Sequence, residues 1–131
     1  MMTDLSKLAD MSNALKFPKN MPIIKEGANE PYSMYIILQG QVRIVKNYGD
    51  IDQMVVATLG AGDYFGEMSL FLKKPRTATV ITSAETVVLE ITENNVYEVI
   101  ETNPNLLYGM IAGLCKRVDF LNDKVLPQHR L

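Results

Sequence analysis

From Ile23 to Ile91 the chain is a succession of short β-branched and aromatic runs, each cut off by turn residues. Ile23-Ile24 stops at Glu26-Gly27, and Tyr32 to Leu38 stops at Gln39-Gly40. Val42, Ile44 and Tyr48, interleaved with Arg43 and Lys46, suggest a half-buried strand running into the turn Asn47-Tyr48-Gly49-Asp50. Met54 to Leu59 ends at Gly60-Ala61-Gly62-Asp63, and the runs Thr77 to Thr82 and Thr86 to Ile91 flank Ser83-Ala84-Glu85. Short strands with turns every 8–12 residues or so indicate a sandwich or barrel. Pro18 and Pro22 keep helix out of the approach to this region.

On either side the period changes. Leu5, Leu8 and Met11 have helical spacing and Thr3 is a suitable cap, so a short amphipathic helix is expected over Thr3 to Met11. Near the other end, Thr92 is expected to cap a helix through Glu101, with Val96, Val99 and Ile100 as its apolar face. Asn103-Pro104 is a second start signal, asparagine at the cap and proline at the first helical position. The helix that follows is expected to reach about Leu126, because Pro127 stops it. On it Leu107, Ile111, Leu114, Val118, Leu121 and Val125 alternate steps of four and three, a heptad seam, with Gly109 and Gly113 permitting close helix approach.

Composition excludes several classes of function. The 131 residues are 47% hydrophobic and 21% charged, ordinary values for one globular domain that needs no staple. A net charge of -2 lacks the footprint of a nucleic-acid binder. The single cysteine, Cys115, forms no internal disulfide and fits a reducing compartment as an apolar filler on the last helix. No signal peptide is read at the N-terminus, and no apolar run approaches the roughly 20 residues that span a bilayer. The expectation is a soluble cytoplasmic protein with no membrane partner. One histidine, His129 in the tail, and one cysteine give neither a metal centre nor a Ser-His or Cys-His set, so no enzyme and no cofactor are expected.

One stretch carries chemistry. Gly66-Glu67 is followed nine residues later by Arg76-Thr77. An arginine presents a planar fork of donors that matches two phosphate oxygens. Leu70-Phe71-Leu72 suits a single helical turn whose N-terminal amides, near Phe65 to Met68, favour an anion. A carboxylate beside such a site suits a ribose hydroxyl, or pairs with Arg76. Lys73, Lys74 and Arg76 form a small basic patch in the loop. Taken singly, these residues also suit an ordinary surface ion pair, a turn glycine and a solvated loop.

Phe65-Gly66-Glu67-Met68-Ser69-Leu70 with Pro75-Arg76-Thr77-Ala78-Thr79-Val80 resembles the phosphate-binding cassette of cyclic nucleotide-binding domains. These occur in catabolite activator-type regulators, cyclic-nucleotide-dependent kinases and gated channels. The turns at Gly27, Gly40, Gly62 and Gly66 and the two terminal helices extend the resemblance over nearly the whole chain. It implies a single mainly-β domain over 1–131: an antiparallel, jelly-roll-like β-roll at about 14–91, an N-terminal helix, and two C-terminal helices at about 93–126. It implies that Arg76 binds a cyclic phosphate and Glu67 the ribose 2′-hydroxyl. The amides of Gly66, Met68 and Ser69 support sugar and phosphate, and Thr77 stands beside phosphate and base. Leu121 and Asn122 fall near where activator-type members place base contacts, and Asn122 suits a purine edge. The ligand is either cAMP, the first choice, or cGMP.

The same resemblance implies a homodimer through the last helix, though a lone amphipathic helix also simply packs on the roll. Unlike activators, kinases and channels, the chain is expected to have no output domain of its own, since it ends soon after the last helix. It would act through an unidentified effector protein. The alternative is a β-roll scaffold or interaction module that no longer binds nucleotide.

Overall fold

The structure, a computed structural model, describes residues 13–125. The elements in chain order are β1 (Ala14–Phe17), β2 (Pro22–Ile24), β3 (Met34–Gln39), β4 (Gln41–Lys46), β5 (Met54–Gly60) and β6 (Tyr64–Phe65). They continue with α1 (Glu67–Leu72), β7 (Thr79–Thr82), β8 (Thr86–Ile91), α2 (Val96–Thr102) and α3 (Pro104–Val125). The helix expected over Thr3 to Met11 and the tail from Leu126 lie outside the described residues.

The strands form two four-stranded antiparallel sheets, ordered β1-β8-β3-β6 and β2-β7-β4-β5. This is the mainly-β roll that the alternating runs and turns imply. Consecutive strands change sheet repeatedly, so the two layers are wound together by one chain. Six-residue β3 shows why the layers hold, because alternate side chains leave a strand on opposite faces. Tyr35 and Ile37 enter the cluster between the sheets, with Ile24, Val42, Phe65, Val80 and Val88. Met34 and Ile36 enter a second cluster, with Leu70 of α1, Leu89 and Ile91 of β8, Val99 of α2 and Leu106 of α3. Each fully buried aliphatic side chain stabilises the fold by about 1.5–3 kcal/mol. Both layers therefore depend on one strand, and the second cluster ties every described helix to it.

Two short strands and one helix boundary depart from the sequence expectation. β1 pairs with β8 from Ala14 to Phe17, although its mostly exposed side chains give no apolar alternation. β6 has two residues, too few to carry a period. The helix expected to start at Thr92 starts at Val96, with Asn95 as its cap residue. The residues before it satisfy one another: Thr92 N–H donates to Asn95 Oδ1 at 2.7 Å, and Asn94 N–H donates to Thr92 Oγ1 at 3.2 Å. Such local side-chain bonds compete with the first helical turn. Tyr48 lies exposed beyond the end of β4. Among the described residues no helix is long and apolar enough to cross a membrane.

Candidate functional site

The chain passes from β6 into α1 through Gly66, whose φ of 82° lies in the left-handed region. A Cβ there would sit 2.9 Å from Arg76 Nη1 and 3.0 Å from the Ser33 carbonyl oxygen. Only glycine fits, for both conformation and space. The turn brings Glu67 to the first position of α1 and leaves first-turn amides, including those of Glu67 and Met68, without partners in the helix. The Ser69 amide donates to the Gly66 carbonyl at 3.2 Å, and its buried hydroxyl donates to the Lys74 carbonyl at 2.9 Å. Ser69 therefore holds the loop that returns the chain towards Arg76.

Arg76 is fixed at both ends. Its amide donates to the Ala28 carbonyl at 2.9 Å, and its carbonyl accepts from Gly27 at 2.8 Å. The side chain is 4% exposed. Its guanidinium donates to the carbonyls of Pro31 at 2.6 Å, Ser33 at 2.7 Å and Gly66 at 3.4 Å, and its central carbon lies 5.9 Å from the Tyr35 ring centre. Burial pushes its pKa below the ordinary arginine value, while Tyr35 and Glu90 pull it back up. Thr77, exposed, follows on the rim, its carbonyl accepting from Lys46 Nζ at 2.5 Å.

These residues line a cavity of about 290 Å³. Gly66, Glu67, Met68, Ser69, Arg76 and Thr77 form one wall. The facing wall is apolar: Ile24 of β2, Ile44 of β4, Ala57 and Leu59 of β5, and Val80 of β7. Arg117 of α3 lies across the mouth, with its Nη2 4.0 Å from Glu67 Oε1. The cavity thus combines an apolar wall, a buried cation, a part-exposed carboxylate and a run of backbone amides. That is what a flat heterocycle joined to an anionic ester requires.

Residues 14–103 match the sequence profile of the cyclic nucleotide-binding domain. The chain belongs to this family. The cAMP-activated global transcriptional regulator CRP of Escherichia coli is 27% identical over 111 residues, 84% of this chain and 52% of that protein. A cGMP-dependent protein kinase of Toxoplasma gondii is 37% identical over 103 residues, 79% of this chain and 9% of the kinase. The chain spans about half the length of the CRP relatives it matches. The crystal structure of Thermus thermophilus catabolite activator protein superposes with a TM-score of 0.73 at 23% identity, covering 92% of this chain and 55% of that one, which shows the fold.

Within this family frame, four expectations need correction. Glu67 does not pair with Arg76: the guanidinium is turned towards the main chain of the loop before β3, and the carboxylate faces Arg117. The basic patch is not a patch. Arg76 is buried, and Lys73, itself left-handed at φ 55°, donates to the Leu70 carbonyl at 2.8 Å and forms an ion pair with Glu93. Asn122 lies away from the cassette cavity, on a separate hollow of about 390 Å³ on α3 beside Ile111, Leu114, Cys115 and Val118. Leu121 is exposed, and so is Cys115, which is not a buried filler.

Arg117 is the residue that sequence reasoning passed over. Its signal was available: it follows Gly113 by four positions, on the same face of α3. Gly113 is where the helix comes close to the site, since a Cβ there would lie 3.7 Å from Tyr64 Oη. Burial, and then Glu67, push the Tyr64 phenol pKa up, with Arg117 acting against them.

Proposed function

We propose that this domain is a sensor for a 3′,5′-cyclic nucleotide, cAMP in the first instance, and that it acts without catalysis of its own. The observation that carries this reading is the arrangement around Arg76. Within the described residues the guanidinium makes no ion pair inside bridging distance, yet it lies buried at one wall of a cavity that also presents Glu67 and the amide end of α1. A phosphodiester supplies one negative charge to that wall, and each hydrogen bond to a charged group contributes about 1.5–3 kcal/mol. Glu67 accepts from the ribose 2′-hydroxyl, the amides of Gly66, Met68 and Ser69 support sugar and phosphate, and Thr77 meets the phosphate and the base edge. The base lies on the apolar wall of Ile44, Ala57 and Leu59. The named relatives are cAMP-activated in one case and cGMP-dependent in another, so cGMP is the competitor.

Signal transmission falls to α3. The gap between α1 and α3 is a second hollow of about 250 Å³, bounded by Met68, Phe71 and Leu72 on one side and Met110 and Leu114 on the other. Arg117 and Glu67 touch both hollows, so a ligand that engages Glu67 alters the tie that holds α3. The shift of α3 is limited by the ligand's differential affinity for the two helix positions. Leu107, Ile111, Leu114, Val118 and Leu121 form an exposed stripe on α3, and the proposal pairs this stripe with a second copy, which passes the movement to an effector protein.

One observation favours a second reading, a scaffold that no longer binds nucleotide: three backbone carbonyls already occupy the Arg76 donors. Thermal unfolding with and without cAMP or cGMP separates the two. A sensor gains about 2.7 kcal/mol at 100 times its Kd, a shift of several degrees. If neither nucleotide moves the transition at millimolar concentration, the sensor reading fails.

A further inference from the structure

Behind the cavity wall lies a carboxylate that the cassette pattern does not include. We propose that Glu90 is the resident counter-charge of Arg76: it steadies the guanidinium in the ligand-free site, and an incoming anion competes with it. The proposal rests on the nucleotide reading of the cavity and deepens it, making Glu90 a positioning residue that sets affinity.

Glu90 on β8 stands opposite Tyr35 on β3 in the sheet register. Its Oε2 accepts from Ser33 Oγ at 2.9 Å and from Tyr35 Oη at 3.3 Å. Each of those residues touches Arg76 with its other end. The Ser33 carbonyl accepts from Arg76 Nη1 at 2.7 Å, and the Tyr35 ring centre is 5.9 Å from the guanidinium carbon. The opposite edge of the assembly is fixed too, because Tyr35 stacks on Phe65 at 5.2 Å, one residue before Gly66. Glu90, Ser33, Tyr35 and Arg76 thus form a continuous polar path from β8 to the cavity.

Electrostatics agree with this path. Ser33, Tyr35 and Arg76 are each no more than 4% exposed and Glu90 itself is half-buried, so the path between the two charges runs mostly out of solvent. Glu90 is one of the two groups that offset the effect of burial on the Arg76 pKa. Glu67, the carboxylate nearer in sequence, faces Arg117 instead. When a phosphate reaches Arg76, two negative charges share one buried cation. Glu90 therefore holds the guanidinium in place before binding and opposes the ligand afterwards. This gives an expectation of unusual sign: removing the Glu90 charge while keeping its hydrogen-bond acceptor strengthens nucleotide binding.

The test uses the full chain with Glu90→Gln, Arg76→Ala and the double variant. Gln has the size of Glu and still accepts from Ser33 and Tyr35, so the network survives. Without ligand, Glu90→Gln is expected to lower the unfolding midpoint in the wild-type background and to have little effect when Arg76 is already Ala. In calorimetric titration with cAMP, Glu90→Gln is expected to bind roughly three- to tenfold more tightly than wild type. Additive midpoints, or an affinity for cAMP that is unchanged or weaker, overturn the proposal. If wild type fails to bind cAMP or cGMP while the two midpoints remain coupled, the nucleotide reading is what has failed, and the competition falls with it. If Glu90→Gln does not fold, Tyr35→Phe in wild type gives the second measurement. Loss of the phenol donor leaves Glu90 a stronger competitor for Arg76, so cAMP binding weakens, and unchanged binding overturns the proposal.

Discussion

The cassette wall and helix α3 are the two parts of the molecule most visible in the sequence, and they are held in opposite ways. Around Arg76 every part is fixed: main chain to the turn at Gly27 and Ala28, guanidinium to three carbonyls, Gly66 with no room for a Cβ. Among the described side chains of α3, Leu106 is the only apolar one that is buried, while the seam from Leu107 to Leu121 is exposed. A helix whose apolar seam is exposed buries little surface, so little packing opposes a change in its position. The division suits a sensor, with recognition placed on the rigid part and response on the lightly attached one.

The sharpest attempt to break this contrast is Gly66→Ala. An L-residue at φ 82° that meets Arg76 and the Ser33 carbonyl is expected to cost about 3 kcal/mol, read by denaturant unfolding, with nucleotide binding lost as well. A stability within 0.5 kcal/mol or so of wild type would show that the wall is softer than its geometry indicates.

The rigid side also has a pH signature. Burial first, and Glu90 next, push the Tyr35 phenol up to about 12. A pKa raised in the folded state stabilises fully below the unfolded value near 10 and is lost as pH rises towards 12. Stability is therefore expected to fall by about 2 kcal/mol over that window, and Tyr35→Phe is expected to flatten the fall. A profile that is the same in both proteins would remove Tyr35 from the account.

Glu67→Ala sharpens the comparison at the point where the two regions meet. Loss of a charge-assisted bond to the ribose is expected to weaken cAMP by about 1.5–3 kcal/mol, with little change in fold. A 2′-deoxy cyclic nucleotide is expected to show the same weakness against wild type and no further loss against the variant. A variant as discriminating as wild type would place the ribose elsewhere. The smallest expected effect is on the α3 side. Ile111→Asp on the exposed seam is expected to change chain stability by less than about 0.5 kcal/mol while shifting sedimentation towards monomer. If wild type is monomeric at high concentration, the seam is not an interface.

What the sequence disclosed follows the range of the forces involved. Strand and turn identity is local, so Gly40, Gly62 and the β-branched runs announced β3, β4, β5, β7 and β8 with only boundary errors, while two-residue β6 went unannounced. β1 was obscure because its Ala-Leu-Lys-Phe run is an exposed edge that depends on β8 for its conformation. The cassette residues Gly66, Glu67, Met68, Ser69, Arg76 and Thr77 do line one cavity. The partners of the charges were not legible. Glu67 meets Arg117 fifty positions away, Lys73 meets Glu93, and Arg76 turns to carbonyls of the loop before β3. Such pairings are decided by how sheets and helices pack, which no spacing rule between neighbours encodes. Asn122 illustrates the same limit on α3, where the helix's rotation places it on a different hollow from the cassette.

The most direct measurement is a calorimetric titration of cAMP into the wild-type chain and into Arg76→Ala, run side by side with a check that both unfold cooperatively. Saturable binding at one site per chain is expected for wild type. Affinity lower by roughly 100-fold is expected for the variant, the loss that follows from removing a charged hydrogen-bonding fork from a phosphate. Equal affinities in two folded proteins would contradict the assignment of Arg76, and no binding to wild type at millimolar cAMP or cGMP would contradict the sensor itself.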